Sequence, residues 1–311
     1  MIEISNKSQC CGCSACAQIC PMHVIQMNAD SEGFLYPEVD RDRCIACDRC
    51  NEVCPIEISK KNEALDNGCM PKAFGGWHRD EKIRYDSSSG GAFSLFAIAI
   101  IKKGGKVFGC TLDEKMKAIH IGIDNIDELS LLRGSKYVQS DINDVYREVK
   151  DIVKQGRLVL FVGTPCQAAG LSTYMGSKEI SNLYIVDFIC HGVPSPQVFA
   201  DYVSSEQRKM GSKLIKFRFR NKDRGWSQTG FQLGTYLEYA DGRYVRKYPA
   251  LKDNFMNAFL DDVCLRPSCY ECNFKCLPKG YTDFTIADFW GVEKVNSRLN
   301  DNKPRLFTVQ P

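Results

Sequence analysis

A run of four cysteines occurs twice near the N-terminus, and it constrains this chain more than any other feature. The first run has gaps of two, two and three residues and ends before a proline; its members are Cys10, Cys13, Cys16 and Cys20. The second run repeats this spacing and the proline; its members are Cys44, Cys47, Cys50 and Cys54. Such short gaps do not suit disulfides between elements, but they let several thiolates converge on one metal centre.

The spacing is typical of two-cluster iron–sulfur domains, in which the fourth cysteine of each run ligates the other cluster. One [4Fe-4S] cluster is therefore expected on Cys10, Cys13, Cys16 and Cys54. The other is expected on Cys44, Cys47, Cys50 and Cys20. Zinc is the alternative, but zinc sites usually take two C-x2-C pairs separated by a long gap. Residues 1–60 are predicted to form a ferredoxin-like domain.

Composition places the chain in a reducing compartment. It has 311 residues and 17 cysteines, an odd number, and no apolar segment of a secretory signal precedes the first cysteines. The longest apolar run, residues 92–101, is about half of a bilayer span, so it is predicted to be a buried helix. We expect a cytoplasmic protein without a membrane span.

Charge is distributed unevenly along the chain. Residues 1–60 hold five Lys or Arg against nine Asp or Glu, whereas residues 208–252 hold twelve against three. Opposite poles favour different partners for the two ends. No nucleic-acid recognition motif accompanies the basic stretch, so a nucleic-acid partner is not expected.

The rest of the chain alternates between strand and helix patterns. Strands are predicted at residues 106–110, 118–123, 157–163 and 182–189. Helices are predicted from near residues 89–91 to 102 or 103, at 142–154, from about 167 and at 196–210. This order favours a parallel sheet covered by helices. Residues 216–220 and 231–239 then alternate as antiparallel strands, with a turn at Asp241-Gly242. The expected class is α/β or α+β with a mixed sheet: residues 1–60 form the small domain, 61–80 a linker and 81–311 the large domain.

Two cysteines follow neighbouring apolar strands of this predicted sheet. Cys166 lies in GTPCQAAGL, and Cys190 and His191 lie in FICHGVPSP. Open α/β sheets bind ligands at the carboxyl ends of their strands, so these three residues are candidate catalytic residues. The alternative is that each cysteine is a small buried apolar residue.

Three segments are candidate anion sites. Ser88, Ser89, Gly90 and Gly91 precede a predicted helix, where free N–H groups and hydroxyls can bind an anion or simply cap the helix. Lys136 follows in RGSKYVQS. Arg218 and Arg220 alternate with Phe217 and Phe219, which projects both guanidinium groups from one face of a strand. That face could bind phosphate or carboxylate, or it could be a solvated basic surface.

A third group of cysteines lies far downstream. It comprises Cys264, Cys269, Cys272 and Cys276. The number and reach of these thiols allow a third [4Fe-4S] cluster, although the spacing is less regular than in the first two runs. Cys166 or Cys190 could replace some of them as ligands across the fold.

Six motifs in order, SSSGG, GSKY, GTPCQ, ICHGVPSP, LRPSCYEC and ADFWG, resemble the beta subunit of coenzyme F-420-reducing hydrogenases and dehydrogenases. The resemblance covers nearly the whole chain. It implies a flavin-binding large domain with FAD near Ser88, Ser89, Gly90, Gly91 and Lys136. It also implies that the third cysteine group passes electrons between the ferredoxin-like domain and the flavin.

The resemblance implies an iron–sulfur flavoprotein oxidoreductase. Electrons would pass between a ferredoxin-like partner and an organic substrate, a deazaflavin or another acceptor, near the strand ends of Cys166 and Cys190. The alternative is a non-catalytic electron-transfer subunit that feeds a separate enzyme, for example in polysaccharide biosynthesis, since many bacterial members lie among surface-polysaccharide genes. A homo-oligomer or a subunit of a complex is compatible with either. A radical-SAM enzyme is not expected, because its CxxxCxxC spacing is not found.

Family members usually continue past FWGVEK with a further strand, helix and tail. This chain ends soon afterwards, at NDNKPRLFTVQP. The C-terminus is therefore expected to be truncated or frameshifted.

Cys11 lies outside the repeated spacing and is predicted to ligate no iron. Cys11→Ala should leave the iron content of anaerobically purified protein unchanged, because all eight repeated cysteines remain. Iron determined per chain checks this prediction, and a loss of half the iron would show that Cys11 is a ligand.

Overall fold

The structure, a computed structural model, describes residues 1–61, 72–176, 180–225, 233–275, 280–296 and 306–310. Its strands are β1 (Ile25–Ala29), β2 (Leu35–Val39), β3 (Lys72–Gly76), β4 (Lys106–Leu112), β5 (Ala118–Ile123), β6 (Val159–Val162), β7 (Leu183–Phe188), β8 (Leu214–Asn221), β9 (Gly234–Tyr239), β10 (Tyr244–Lys247), β11 (Phe284–Asp288) and β12 (Leu306–Gln310). Its α-helices are α1 (Ala15–Ile19), α2 (Arg49–Glu52), α3 (Pro55–Lys61), α4 (Glu81–Asp86), α5 (Ala92–Lys102), α6 (Leu129–Leu132), α7 (Val145–Lys154), α8 (Pro165–Met175), α9 (Pro196–Met210), α10 (Asn254–Leu260), α11 (Pro267–Tyr270) and α12 (Val292–Val295).

Residues 1–61, here called the N-terminal lobe, contain two similar cysteine loops and one hairpin. In each loop the residue after the second cysteine takes a left-handed backbone conformation and begins a short helix. Ser14 (φ 63°, ψ 7°) precedes α1, and Asp48 (φ 59°, ψ 3°) precedes α2. The repeated spacing is thus a structural repeat. Strands β1 and β2 pair antiparallel between the loops.

The large domain contains a mixed seven-stranded sheet in the order β3-β12-β11-β7-β6-β4-β5. The four central strands, β11, β7, β6 and β4, run parallel, while β5, β12 and β3 pair antiparallel with their inner neighbours. The predicted mixed α/β class is confirmed. Within the described residues, no helix combines the length and apolar character needed to cross a membrane.

Local sequence signals explain why the helices begin where they do. Thr164 caps α8 in a reciprocal capping box with Gln167, and Pro165 occupies the first helical position. Ser195 caps α9 with its side chain before Pro196, and Gly211 ends that helix at φ 66°. Both helices therefore start immediately beyond the loops that follow β6 and β7.

A second sheet packs beside the first. Strands β8, β9 and β10 form an antiparallel meander, and Phe217 and Phe219 of β8 are buried against α9 and α10. The predicted alternation of β8 is confirmed, because Arg218 and Arg220 lie on the opposite face and are less buried.

The predicted linker is wrong in part. Helix α3 extends to Lys61, and Lys72–Gly76 forms the edge strand β3, which pairs with β12. The segment KAFGG has little apolar alternation, so its sequence does not show that β12 provides a partner for it. Cys69 and Cys276 lie outside the described residues.

The N-terminal lobe shares a hydrophobic core with the large domain. Cys13, Ala15 and Ile56 pack in one cluster with residues of α7, α8 and the central sheet. Hydrogen bonds cross the same boundary: Gln18 Oε1 accepts from Tyr146 N at 2.9 Å, and Thr173 Oγ1 donates to Val53 O at 2.7 Å. The lobe is therefore seated on one face of the sheet.

Gly170 of α8 marks a close approach of the two domains. A Cβ at Gly170 would lie 2.8 Å from Cys13 Cβ and 3.0 Å from Tyr146 Oη. Gly170→Ala should therefore lower the free energy of unfolding by about 1–3 kcal/mol through overpacking, measured as a lower apparent Tm. Gly109→Ala, where the nearest atom is 3.5 Å away, is the matched control and should change Tm little. Equal Tm values for Gly170→Ala and wild type would contradict this seating of the lobe.

Candidate redox centres and cavity

The cysteines of the N-terminal lobe fall into two spatial groups. Burial and the nearby Cys10 and Cys54 thiols raise the pKa of the Cys16 thiol, and Cys54 also faces Cys13. We call Cys10, Cys13, Cys16 and Cys54 the first thiol set. The second thiol set lines one small pocket near Met1 and comprises Cys20, Cys44, Cys47 and Cys50. This grouping agrees with the expected exchange of the fourth cysteines, although ligation itself stays a prediction.

Backbone N–H groups face the sulfur atoms of these sets. Ile2 N donates to Cys50 Sγ at 3.2 Å, Ala15 N to Cys13 and Ala17 N to Cys16. Donors of this kind stabilise thiolates and contribute to the potentials of iron–sulfur clusters. Among the residues that the structure describes, no three Cys, His, Asp or Glu side chains already form a closed metal site. The fit therefore rests on thiol number, grouping and sulfur-facing donors.

Four thiols of the large domain line a cavity of about 250 Å³, which is separate from the pocket near Met1. Cys166 and Cys190 come from the ends of β6 and β7, whereas Cys269 and Cys272 lie in and just after α11. Burial and then the neighbouring Cys166, Cys269 and Cys272 raise the pKa of the Cys190 thiol. We call these four residues the third thiol set and the space between them the small cavity.

Donors also face this third set. Val193 N lies 3.5 Å from Cys269 Sγ, Phe274 N lies 3.4 Å from Cys272 Sγ, and Thr164 Oγ1 lies 3.2 Å from Cys166 Sγ. Burial raises the pKa of Cys269 to about 11. A buried thiolate therefore needs a compensating cation, and four such thiols around one cavity suit a tetrathiolate iron–sulfur cluster.

Cys264, an expected ligand, lies apart from this set. It is buried and does not line the small cavity; its sulfur faces the backbone of Ser195, near Glu32. Cys276, another expected ligand, lies outside the described residues. The structure thus places Cys166 and Cys190, and not Cys264, beside Cys269 and Cys272 around the small cavity. A catalytic role for Cys166 and Cys190 stays a prediction.

A large cavity of about 920 Å³ opens at the carboxyl ends of β6, β7 and β11. Its volume is at the upper end of the range for ligand pockets, and its lining is mainly apolar with a few polar groups. The location is the one at which open α/β sheets bind ligands.

Two of the expected anion segments meet at this large cavity. Ser88 Oγ accepts hydrogen bonds from Ser135 N at 2.6 Å and Ser135 Oγ at 2.8 Å, which joins the SSSGG and GSKY loops. Ser88, Ser89, Gly91 and Lys136 line the cavity. Gly90 does not line it, and its carbonyl accepts a hydrogen bond from His78 N. Burial lowers the pKa of Lys136 to about 8, and its ammonium donates to two backbone carbonyls.

The two expected arginines are placed differently. Arg220 lines the large cavity, donates to Asp288 Oδ2 at 2.8 Å and lies 5.8 Å from the ring centre of Trp290. Arg218 does not line the cavity and pairs with Asp86 at 3.6 Å. Of the two, Arg220 alone is positioned to bind an anion inside the cavity.

His191 lines the large cavity beside its outer edge. Its Nε2 lies 2.6 Å from Asp262 Oδ1, both side chains are exposed, and the imidazole packs edge-on against Phe259. An imidazole held by a carboxylate can exchange a proton with a bound molecule.

The small and large cavities share one wall. Thr164, Cys190, Gly192 and Val193 line both of them. The two loops that follow β6 and β7 therefore bring the third thiol set into contact with the large cavity.

Some residues of this region could not be identified from the sequence. Asp262 lies outside the quoted motifs. Gln139 and Arg266 lie in RGSKYVQS and LRPSCYEC, but nothing in those motifs shows that Arg266 is completely buried. The ADFWG motif places Asp288 and Trp290 in the lining of the large cavity.

Comparison with known proteins identifies two regions. Residues 156–303 match the family of the coenzyme F420 hydrogenase/dehydrogenase beta subunit, in its C-terminal part. Residues 9–58 match the 4Fe-4S dicluster domain. A chain of the solved F420-reducing [NiFe] hydrogenase complex from Methanosarcina barkeri is 13% identical over 77% of this chain and 74% of that chain, with a TM-score of 0.48. A search of curated proteins found no match.

Proposed function

We propose that this chain is an iron–sulfur flavoprotein oxidoreductase. It joins a 4Fe-4S dicluster domain (residues 9–58) to the C-terminal domain of the coenzyme F420 hydrogenase/dehydrogenase beta-subunit family (residues 156–303). These family matches support an iron–sulfur oxidoreductase in general. The third cluster, FAD and the organic substrate are our proposal.

The observation that carries this proposal is the wall shared by the two cavities. Thr164 and Cys190 border the small cavity on one side and the large cavity on the other. The first thiol set reaches the same region, because Cys11, next to Cys10, lies in hydrogen-bonding contact with Cys166. Electrons held by the thiol sets would therefore pass from the N-terminal lobe to the large cavity through short contacts.

The large cavity has the features needed to hold FAD. The joined loops of Ser88 and Ser135 provide hydroxyl and N–H groups for phosphates, and Lys136 and Arg220 provide positive charge. When bound, FAD supplies chemistry that couples one-electron and two-electron steps. The apolar residues Phe219, Met256 and Phe259 would exclude water from a bound ring system.

The cavity edge at His191 is the proposed place for the organic substrate. His191 and Asp262 could hold a proton there and exchange it with a substrate that gains or loses electrons. A deazaflavin is one candidate, since the matched family is described by coenzyme F420. Another organic acceptor would use the same residues.

The second thiol set is the proposed contact with a redox partner. Cys47 is exposed, and the adjacent Ile45 has 59% of its surface accessible. A ferredoxin-like protein or another subunit docking on this loop would come closest to the second set.

A non-catalytic electron-transfer subunit is the second candidate. The matched family is described as a beta subunit, and such a protein can pass electrons to a separate enzyme. Anaerobically purified protein should be denatured and the supernatant assayed for FAD. Released FAD near one per chain would support the flavoprotein, whereas iron–sulfur clusters without flavin would support the subunit that only transfers electrons.

The geometry predicts which downstream cysteines bind iron. Cys190→Ser should lose about four of about twelve iron atoms per chain, because it removes a ligand of one cubane cluster. Cys264→Ser, the matched control, should retain all of them, since Cys264 does not line the small cavity. Iron per chain and the visible absorption of both variants give the answer. Loss of iron in Cys264→Ser but not in Cys190→Ser would show that Cys264 is a cluster ligand and Cys190 is not.

Binding of FAD to flavin-free protein should depend on pH through Lys136. Its folded-state pKa of about 8 means that the ammonium is charged below pH 8 and increasingly neutral above it. Affinity for the FAD phosphates should therefore fall as the pH rises through this range. Fluorescence titration with FAD should show a flat profile at low affinity for Lys136→Met. In Lys136→Arg, the affinity for FAD should persist to higher pH. If Lys136→Met showed the same pH dependence of FAD affinity as wild type, Lys136 would not be the group that binds the FAD phosphates.

A further inference from the structure

Arg266 is a buried cation between the N-terminal lobe and the large domain. Its side chain is completely inaccessible to solvent. Nε donates to Cys10 O at 2.7 Å, Nη1 to Gln139 Oε1 at 2.7 Å and Nη2 to Leu35 O at 2.9 Å. The guanidinium carbon lies 4.3 Å from the ring centre of Tyr36.

These contacts use three of the five N–H donors of the Arg266 guanidinium and do not neutralise its charge. All three acceptors are uncharged groups, and within the described residues no carboxylate forms an ion pair with Arg266. A buried charge without a counter-charge is costly, and buried cations are normally paired with anions. The residues around Arg266 therefore lack the anion that its burial requires.

The location indicates which anions could provide that charge. Arg266 binds the carbonyl of Cys10, a member of the first thiol set, and it lines the small cavity enclosed by the third. Arg266 thus lies between the first and third thiol sets, and the second set lies elsewhere in the lobe.

We propose that Arg266 is a positioning residue that sets the reduction potentials of the clusters on the first and third thiol sets. The inference rests on the proposed function. A cluster bound by four thiolates is anionic and gains one further negative charge when it accepts an electron, without forming a bond or taking a proton. A fixed cation nearby stabilises the reduced form and so raises the reduction potential.

The hydrogen bonds of Arg266 hold its charge at a fixed position. They fix the guanidinium between the two domains, and Gln139 also donates from Nε2 to Cys11 O at 2.9 Å. Gly12 leaves room for this arrangement, because a Cβ at Gly12 would lie 2.7 Å from Arg266 Nη1. The charge is therefore held at one position relative to both thiol sets.

The test is an anaerobic redox titration, followed by electron paramagnetic resonance, of wild type, Arg266→Gln and Arg266→Lys. In Arg266→Gln, the potentials of two of the three clusters should shift to more negative values. The cluster on the second set is an internal control and should keep its potential. Arg266→Lys retains the charge, so the same two potentials should stay close to their wild-type values. Tyr36→Phe, which removes a hydroxyl that has no partner among the described residues, should leave all potentials unchanged.

A purely structural role gives a different result. Arg266→Gln would then lose stability or iron while the remaining clusters keep wild-type potentials, or Arg266→Lys would behave like Arg266→Gln. Either result overturns the inference. If Arg266→Gln does not fold, Gln139→Glu decides, because it places a carboxylate against Nη1 and should lower the same two potentials; unchanged potentials overturn the inference.

Failure of the proposed function is distinguishable from failure of this inference. Wild-type protein without iron would overturn both. Wild-type protein with three clusters, combined with unchanged potentials in Arg266→Gln, would overturn the role of Arg266 alone.

Discussion

The attachment of the N-terminal lobe to the large domain is the interaction on which the rest of the structure depends. Arg266 donates to the backbone of both Cys10 and Leu35, so one side chain holds a cysteine loop and the hairpin strand β2. Hydrogen bonds from charged donors contribute about 1.5–3 kcal/mol each. The shared core around Cys13 and Gly170 adds close packing at the same boundary. Because these contacts fix the lobe, the first thiol set lies beside the small cavity.

The sheet topology explains the order of the sites. Strands β6 and β7 are parallel neighbours, so the loops that follow them emerge at the same edge. One side of these loops faces the small cavity and the other faces the large cavity. A thiol placed at the end of either strand can therefore border both spaces, and Cys190 does so. Helices α8 and α9 each begin with a side-chain cap followed by a proline, and these two signals fix where the loops after β6 and β7 end.

Much of this arrangement could be predicted from local sequence signals. The bounds of β5 and α9 agree with the predicted ones. Those of α9 could be predicted because the helix has a capping serine, a proline at its first position and a terminal glycine. The grouping of Cys54 with the first run followed from the repeated spacing. The choice between Cys264 and Cys166 could not be predicted, since spacing along the chain does not say which strand ends meet. The burial of Arg266 was equally hidden, because a guanidinium is expected at the surface unless its partners are known.

We propose three groups of four thiols, each binding one cubane cluster, in a row that leads to the large cavity. Mössbauer spectroscopy of anaerobic protein prepared with ⁵⁷Fe measures this most directly. Essentially all iron should be in [4Fe-4S] clusters, at about twelve iron atoms per chain. Protein that contains zinc or disulfides in place of iron, or iron for two clusters only, would contradict it.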